Sequence, residues 1–207
     1  MQTVILAAGD FPRQGGAAWR LLRSAARVVC CDSAADVYHR RLRRRAAVVV
    51  GDFDSCRFAA ASARETVRVD EQETNDLAKA IRLCRERGWS DPVVLGACGR
   101  REDHTLGNLF RTLEAGLEVV TDAGRFLPLG RRPDGTGRER LALAVRPGTP
   151  VSIFAPDPAT RMTSRGLEWP LDGFRFDNLY CATLNRAKGR RIVLSSDRPV
   201  YVYLAHE

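Results

Sequence analysis

The first 122 residues alternate short β-branched or apolar runs with amphipathic stretches, and that alternation restricts them to a parallel sheet with crossover helices. Thr3–Ala8, Arg27–Cys31, Ala46–Val50, Thr66–Val69, Pro92–Leu95 and Leu117–Thr121 read as strands. Helices are expected around Trp19–Arg23, at Ala34, Ala35, Val37 and Tyr38, and where Leu77, Ala80, Ile81 and Cys84 recur at helical spacing. Thr74 can cap the last of these and Gly88 can end it. Leu106, Leu109, Phe110 and Leu113 mark a further helix.

Beyond Asp122 the pattern changes. Gly124, Pro128, Gly130, Pro133, Gly135 and Gly137 interrupt the chain, and short alternating runs follow at Leu141–Val145, Pro150–Phe154, Ile192–Leu194 and Val200–Leu204. Such runs suit a small antiparallel sandwich. The expected fold class is α/β: an N-terminal parallel-sheet α/β domain, residues 1–124, followed by a C-terminal all-β sandwich domain, residues 125–207.

Acids recur where the expected strands end. Asp10 follows the first, Asp32 the second, and Asp52 and Asp54 the third; Asp76 and Asp103 begin the helices after the fourth and fifth. In an open parallel sheet, ligands bind in the crevice beyond the carboxyl ends of the strands. The stretch Val48-Val49-Val50-Gly51-Asp52-Phe53-Asp54-Ser55 is the sharpest case. Two carboxylates two residues apart on a turn suit a hard cation such as Mg²⁺, which takes oxygen ligands and shares them with substrate phosphates. A solvated turn whose Asp caps the next helix is the competing reading. Helix-starting acids also complement the helix dipole, which accounts for Asp76 and Asp103 taken singly.

Those acids stand out because the chain carries a net charge of +8 and a pI near 9.7. The positive charge is almost all arginine, dispersed apart from the run Arg40, Arg41, Arg43, Arg44 and Arg45. Aromatic residues do not interleave with it as a single-strand binder requires. A basic crevice for a polyphosphate is another use of the charge. The expectation is therefore no nucleic-acid partner. Hydrophobic residues make up 44% of the chain, but no apolar run approaches a membrane span, so no membrane partner is expected either. Met1–Leu6 reads as a strand and not as a signal peptide. The six cysteines include no C-x-x-C pair and Cys30-Cys31 lies in an apolar run, which fits reduced thiols and a cytoplasmic protein.

Gly96–Asn108 (Gly-Ala-Cys-Gly-Arg-Arg-Glu-Asp-His-Thr-Leu-Gly-Asn) adds glycines that let backbone N–H groups approach phosphate, and two arginines able to clamp it. It matches neither a P-loop nor a dinucleotide fingerprint.

In order, the blocks Cys31-Asp32-Ser33-Ala34-Ala35, Gly51–Ser55, Gln72–Ala80, Gly96–Asn108 and Gly166–Leu171 followed by Thr183-Leu184-Asn185 resemble the thiamine pyrophosphokinase (thiamine diphosphokinase) family. The resemblance implies an α/β catalytic domain that binds ATP and Mg²⁺, a β-sandwich that binds thiamine, and a homodimer with active sites at the subunit interface. It implies transfer of the pyrophosphoryl group of ATP to the hydroxyl of thiamine, giving thiamine diphosphate and AMP. By the same resemblance Asp52, Asp54 and Asp76 are metal ligands. Asp32, Arg101 and Asp103 fall near the nucleotide and its phosphates, and Gln72, Trp169 and Asn185 near thiamine. Asp103 is either a proton acceptor or the holder of a metal-bound water. Trp169 offers a flat face to a cationic aromatic substrate, or is a core residue of the sandwich.

The chain also departs from the family pattern. Ser33-Ala34 stand where glycines are common, Leu184 where a serine is common, so that the hydroxyl contact either comes from Thr183 or is absent, and Arg186 where an acid is common. Leu184 and Arg186 motivate one alternative, a pyrophosphokinase acting on another hydroxymethyl heterocycle such as a pterin; the net charge of +8 motivates another, a non-catalytic nucleotide-binding module.

Overall fold

The computed structural model describes residues 1–54, 56 and 59–206; Ser55 of the acidic-turn motif lies outside the described residues. The chain divides into two compact units, Met1–Asp122 and Ala123–Glu207.

In chain order the first unit contains β1 (Thr3–Leu6), α1 (Ala17–Ser24), β2 (Arg27–Cys31), α2 (Ala34–Leu42), β3 (Ala46–Gly51) and the short α3 (Ala59–Ser62). It continues with β4 (Ala63–Arg68), α4 (Asp76–Glu86), β5 (Val93–Leu95), α5 (Glu102–Ala115) and β6 (Val119–Val120). The strands are parallel and lie in the order β6-β5-β1-β2-β3-β4. Val4, Ile5 and Leu6 of β1 are each 0% exposed, as expected of a strand covered on both faces. The order reverses at β1: the chain builds outward through β2, β3 and β4, then crosses back to add β5 on the other side. The β1/β5 boundary is therefore the topological switch point, where such sheets open a crevice.

Several local expectations are corrected. The fourth strand begins at Ala63 rather than Thr66, because the β3 ladder pairs Ala46 with Ala63 and draws charged residues into register. Asn75, not Thr74, caps α4; its side-chain oxygen accepts from Ala78 N–H at 3.0 Å, while the Thr74 hydroxyl turns to Glu71. Gly88 does end α4, in the left-handed region at φ 64°. On α5 only Thr112 and Leu113 are buried, whereas Leu106 and Phe110 are 57% and 39% exposed.

The second unit contains β7 (Gly124–Leu129), β8 (Arg140–Ala144), β9 (Pro150–Phe154), β10 (Met162–Arg165), β11 (Ala182–Arg186), β12 (Arg191–Ser196) and β13 (Val200–Ala205). Antiparallel ladders join them as β11-β9-β13-β7 and as β10-β12-β8. Alternate residues of both sheets meet in one core that includes Leu129, Ile153, Ile192, Leu194 and Val202. This is the expected β-sandwich. Three of its strands, β7, β10 and β11, were not legible locally. Gly124 and Pro128 had the look of turn residues, yet they stand in register with Ala205 and Tyr201, because strand pairing outweighs local propensity. Among the described residues no helix is long and apolar enough to cross a membrane.

Candidate active site

The switch point is held together by the two loops that leave it. After β1, Ala7 N–H donates to Leu95 O, Gly9 N–H to Gly96 O and Asp10 N–H to Cys98 O, each at 2.8 Å. This approach requires glycine at position 9, since a Cβ there would collide with the Gly96 and Cys98 carbonyl oxygens. The zipped loops form the floor of a cavity of about 390 Å³. Asp52, Gln72, Asp76 and Lys79 line it from the segments between β3 and α4 and from α4 itself, and Arg100, Arg101, His104 and Asn108 from the loop after β5 and from α5.

Asp52 follows the last residue of β3. Its Oδ1 accepts the Asp54 N–H at 3.1 Å and its Oδ2 accepts Gln72 Nε2 at 3.1 Å. These bonds favour the charged form, the Asp54 amide first, and hold the Asp52 carboxyl below the usual carboxylate range. The chain reverses between the two acids at Phe53, whose φ is 66°. For an aromatic residue that is a sparsely populated conformation, costing on the order of 1–3 kcal/mol. The turn aims the Asp52 carboxylate at the cavity and leaves Asp54 exposed, outside the lining.

Asp76 opens α4. Burial raises its pKa most, and the neighbouring Asp32 and Asp52 carboxylates raise it further, while the Lys79 ammonium 3.3 Å away lowers it. Asp32 lies beneath, 3% exposed, with its N–H on Val50 O at 2.9 Å. The crowding is measured at Gly51, where a Cβ would lie 3.0 Å from Asp32 Cβ and 3.3 Å from Asp76 Oδ1.

After β5, Arg101 and Asp103 form a two-point ion pair, Nη2–Oδ2 2.6 Å and Nε–Oδ1 3.1 Å. The Arg101 guanidinium holds the Asp103 carboxyl down at about 2. Asp103 is thus a weak proton acceptor, and its side chain is outside the cavity lining. Asn108 bridges the two helices: Asn75 Nδ2 donates to Asn108 Oδ1 at 3.0 Å, and Asn108 Nδ2 donates to Ala97 O at 2.9 Å. Lys79, Asn75 and Asn108 were not singled out by sequence, although a lysine in an arginine-dominated chain, one turn after an acid, was a usable signal. Among the described residues no three acidic, thiol or imidazole groups converge tightly enough to hold a metal unaided.

The remaining expected residues lie in the second unit. Asn185 is 5% exposed. Its Nδ2 donates to Trp169 O at 2.7 Å, and its Oδ1 accepts the N–H groups of Trp169 at 3.3 Å and Arg186 at 2.8 Å. Trp169 is half exposed, and the Arg186 guanidinium carbon lies 5.2 Å from its ring centroid. The Thr183 hydroxyl donates to Tyr180 O at 2.9 Å. Leu184 sits at a register shift in β11 with φ 64° and is 86% exposed.

The family described as "Thiamin pyrophosphokinase, catalytic domain" matches residues 18–120. No curated protein matches significantly in sequence. Among solved structures, a thiamin pyrophosphokinase family protein from Enterococcus faecalis superposes with a TM-score of 0.78 at 15% identity, covering 100% of this chain and 99% of its own. Thiamin pyrophosphokinase from Candida albicans gives 0.77 at 15% identity over 100% of this chain and 89% of its own. Thiamine pyrophosphokinase from Bacillus subtilis gives 0.72 at 15% identity over 99% and 98%. At these identities the structures speak for the fold, and the family match speaks for the first unit. Residues 18–120, the greater part of the first unit, thus belong to the thiamin pyrophosphokinase catalytic-domain family.

Proposed function

We propose that the protein is an ATP-dependent thiamine pyrophosphokinase, which transfers the β,γ-pyrophosphoryl group of ATP to the primary hydroxyl of thiamine and releases AMP. The observation that carries this reading is the cavity at the switch point, whose lining combines Asp52 and Asp76 with Arg100 and Arg101. Phosphoryl-type transfer is mostly positioning and charge neutralisation, and this cavity offers both signs of charge in a polyphosphate-sized space.

The donor set fits Mg²⁺. Asp52 and Asp76 are hard oxygen donors on the cavity wall, and an ion that keeps waters and substrate phosphates as ligands needs no third carboxylate. Asp54 completes the acidic turn beside them. When bound, such an ion would neutralise and orient the phosphates. Arg100 and Arg101 would hold phosphate oxygens, and the Gly9 and Gly99 loops would admit the chain of phosphates close to backbone. Gln72 would keep Asp52 aimed, and Asp32 would add negative charge from below. With Asp103 neutralised by Arg101, the hydroxyl proton would leave to water or to phosphate oxygen.

In the second unit, Trp169 would stack on the acceptor ring, with Asn185 holding its backbone and Thr183 beside it. A homodimer belongs to this reading, and sedimentation equilibrium should return about twice 23.0 kDa. A second acceptor class is favoured by one observation: the Arg186 guanidinium already lies over the Trp169 ring, where a cationic thiazolium would compete with it. A neutral hydroxymethyl heterocycle such as a pterin would not.

The test is AMP release from Mg²⁺–ATP with thiamine, with a pterin alcohol and with no acceptor, products identified by mass. Thiamine-dependent AMP in equal amount to thiamine diphosphate supports the reading. AMP formed only with the pterin transfers it to the second class, and none with any acceptor removes both.

A further inference from the structure

Lys79 is one of two lysines in a chain whose other strong bases are arginines. It is 3% exposed, lines the cavity, and has its ammonium 3.3 Å from Asp76 Oδ1. Burying an ammonium costs several kcal/mol unless an opposite charge compensates it. The separation is long for a charge-assisted bond, whose usual range is about 2.7–2.9 Å. The ammonium is therefore near its carboxylate without being clamped to it. Asp76 in turn is crowded: a Cβ at Gly51 would lie 3.3 Å from Asp76 Oδ1 and 3.0 Å from Asp32 Cβ, which places the two acids side by side. A buried compact cation aimed into a cluster of acids is a charge in the place where a divalent ion would otherwise be needed.

We propose that Lys79 is a built-in stand-in for the divalent cation: in the metal-free protein its ammonium compensates Asp76, and it gives up that carboxylate and turns to the phosphates when the cation takes Asp76. This rests on the reading of Asp52 and Asp76 as the cation's ligands. Lysine suits the exchange better than arginine, because a point charge on a flexible stem can change partner while a planar fork commits to one. Lys79 here is a positioning residue, acting through Asp76 and through phosphate.

The experiment uses Mn²⁺ as the probe, titrated calorimetrically into the whole protein without nucleotide, with thermal midpoints measured in parallel. Lys79→Met removes a competing cation, so its Mn²⁺ affinity should rise by at least about tenfold. Its metal-free midpoint should fall, and Mn²⁺ should restore most of the loss. Mn²⁺ affinity that is unchanged or weaker in Lys79→Met, in a protein whose wild type binds Mn²⁺, overturns the stand-in role and leaves the metal reading intact. Failure of both proteins to bind Mn²⁺ overturns the metal reading and the proposal with it. If Lys79→Met does not fold without metal, the Asp76→Asn/Lys79→Met pair decides. It should fold, because no uncompensated carboxylate is left, and a pair that stays unfolded makes Lys79 a packing residue and ends the proposal.

Discussion

Asn185 and Trp169 hold each other by two hydrogen bonds, the amide of Asn185 donating to Trp169 O at 2.7 Å and accepting from Trp169 N–H at 3.3 Å. The buried asparagine closes a small ring with the backbone that presents the exposed indole. Asn185→Ala removes hydrogen bonds to part-buried backbone groups, which costs about 1 kcal/mol. Urea denaturation of the variant should show that loss, and a stability equal to wild type would make the ring incidental.

The indole itself should act on the acceptor. Trp169→Ala removes a stacking and cation–π face worth about 0.5–2 kcal/mol, or roughly 2- to 30-fold in affinity. The KM for the acceptor should rise by that factor while the KM for ATP stays within twofold. Equal rises in both would return Trp169 to the scaffold of the sandwich.

Asp52 and Asp54 should separate in their effects. Asp52 faces the cavity, whereas Asp54 is exposed and supports Asp52 through its backbone N–H, which Asp54→Asn keeps. Asp52→Asn should lower turnover by about 10²–10³-fold, the size of a lost electrostatic group in a site. Asp54→Asn should cost clearly less, with both circular dichroism spectra unchanged. The reverse ranking would mean that the acidic turn closes differently around substrate.

Arg101 should control the ionisation of Asp103. The guanidinium holds that carboxyl at about 2, so in the wild type it stays charged until the pH falls through that value. A depressed folded pKa adds stability above the ordinary carboxylate value, near 3.9, and the contribution is lost as the pH falls toward 2. In Arg101→Gln the Asp103 carboxyl should titrate higher, toward the ordinary value, with the His104 N–H still holding it somewhat down. Carboxyl carbon NMR between pH 6 and 2 reads this directly, and identical titrations in both proteins would show that the pair does not persist in solution. Turnover should fall in the same variant, because Arg101 lines the cavity.

The alternation of apolar runs and helical spacing was enough to place most elements of the first unit, since strands buried on both faces leave continuous apolar signatures. The acids at strand ends were also legible, because a short turn after a buried run has few structural uses for charge. Other features resisted local reading. β7 carries Gly124 and Pro128, and only its ladder with Val200–Ala205 makes it a strand. Leu106 and Phe110 sit at helical spacing on α5 yet remain exposed, because spacing reports a face and not what covers it.

By itself the sequence determined that this chain would form a parallel α/β unit followed by a β-sandwich, that Asp32 and Asp52 would follow strands, and that Asp76 would open a helix. Hydrophobic periodicity and turn chemistry are local, and they survive in the linear text. Which carboxylates meet was decided by the tertiary structure. The reversal of strand order at β1 zips Gly9 to Gly96 and opens the cavity. The α4 helix brings Asp76 against Gly51 with buried Lys79 beside that carboxylate, and the strained turn at Phe53 sends Asp52 inward and Asp54 out. Those outcomes depend on contacts between segments far apart in the chain, whose energies no local pattern encodes.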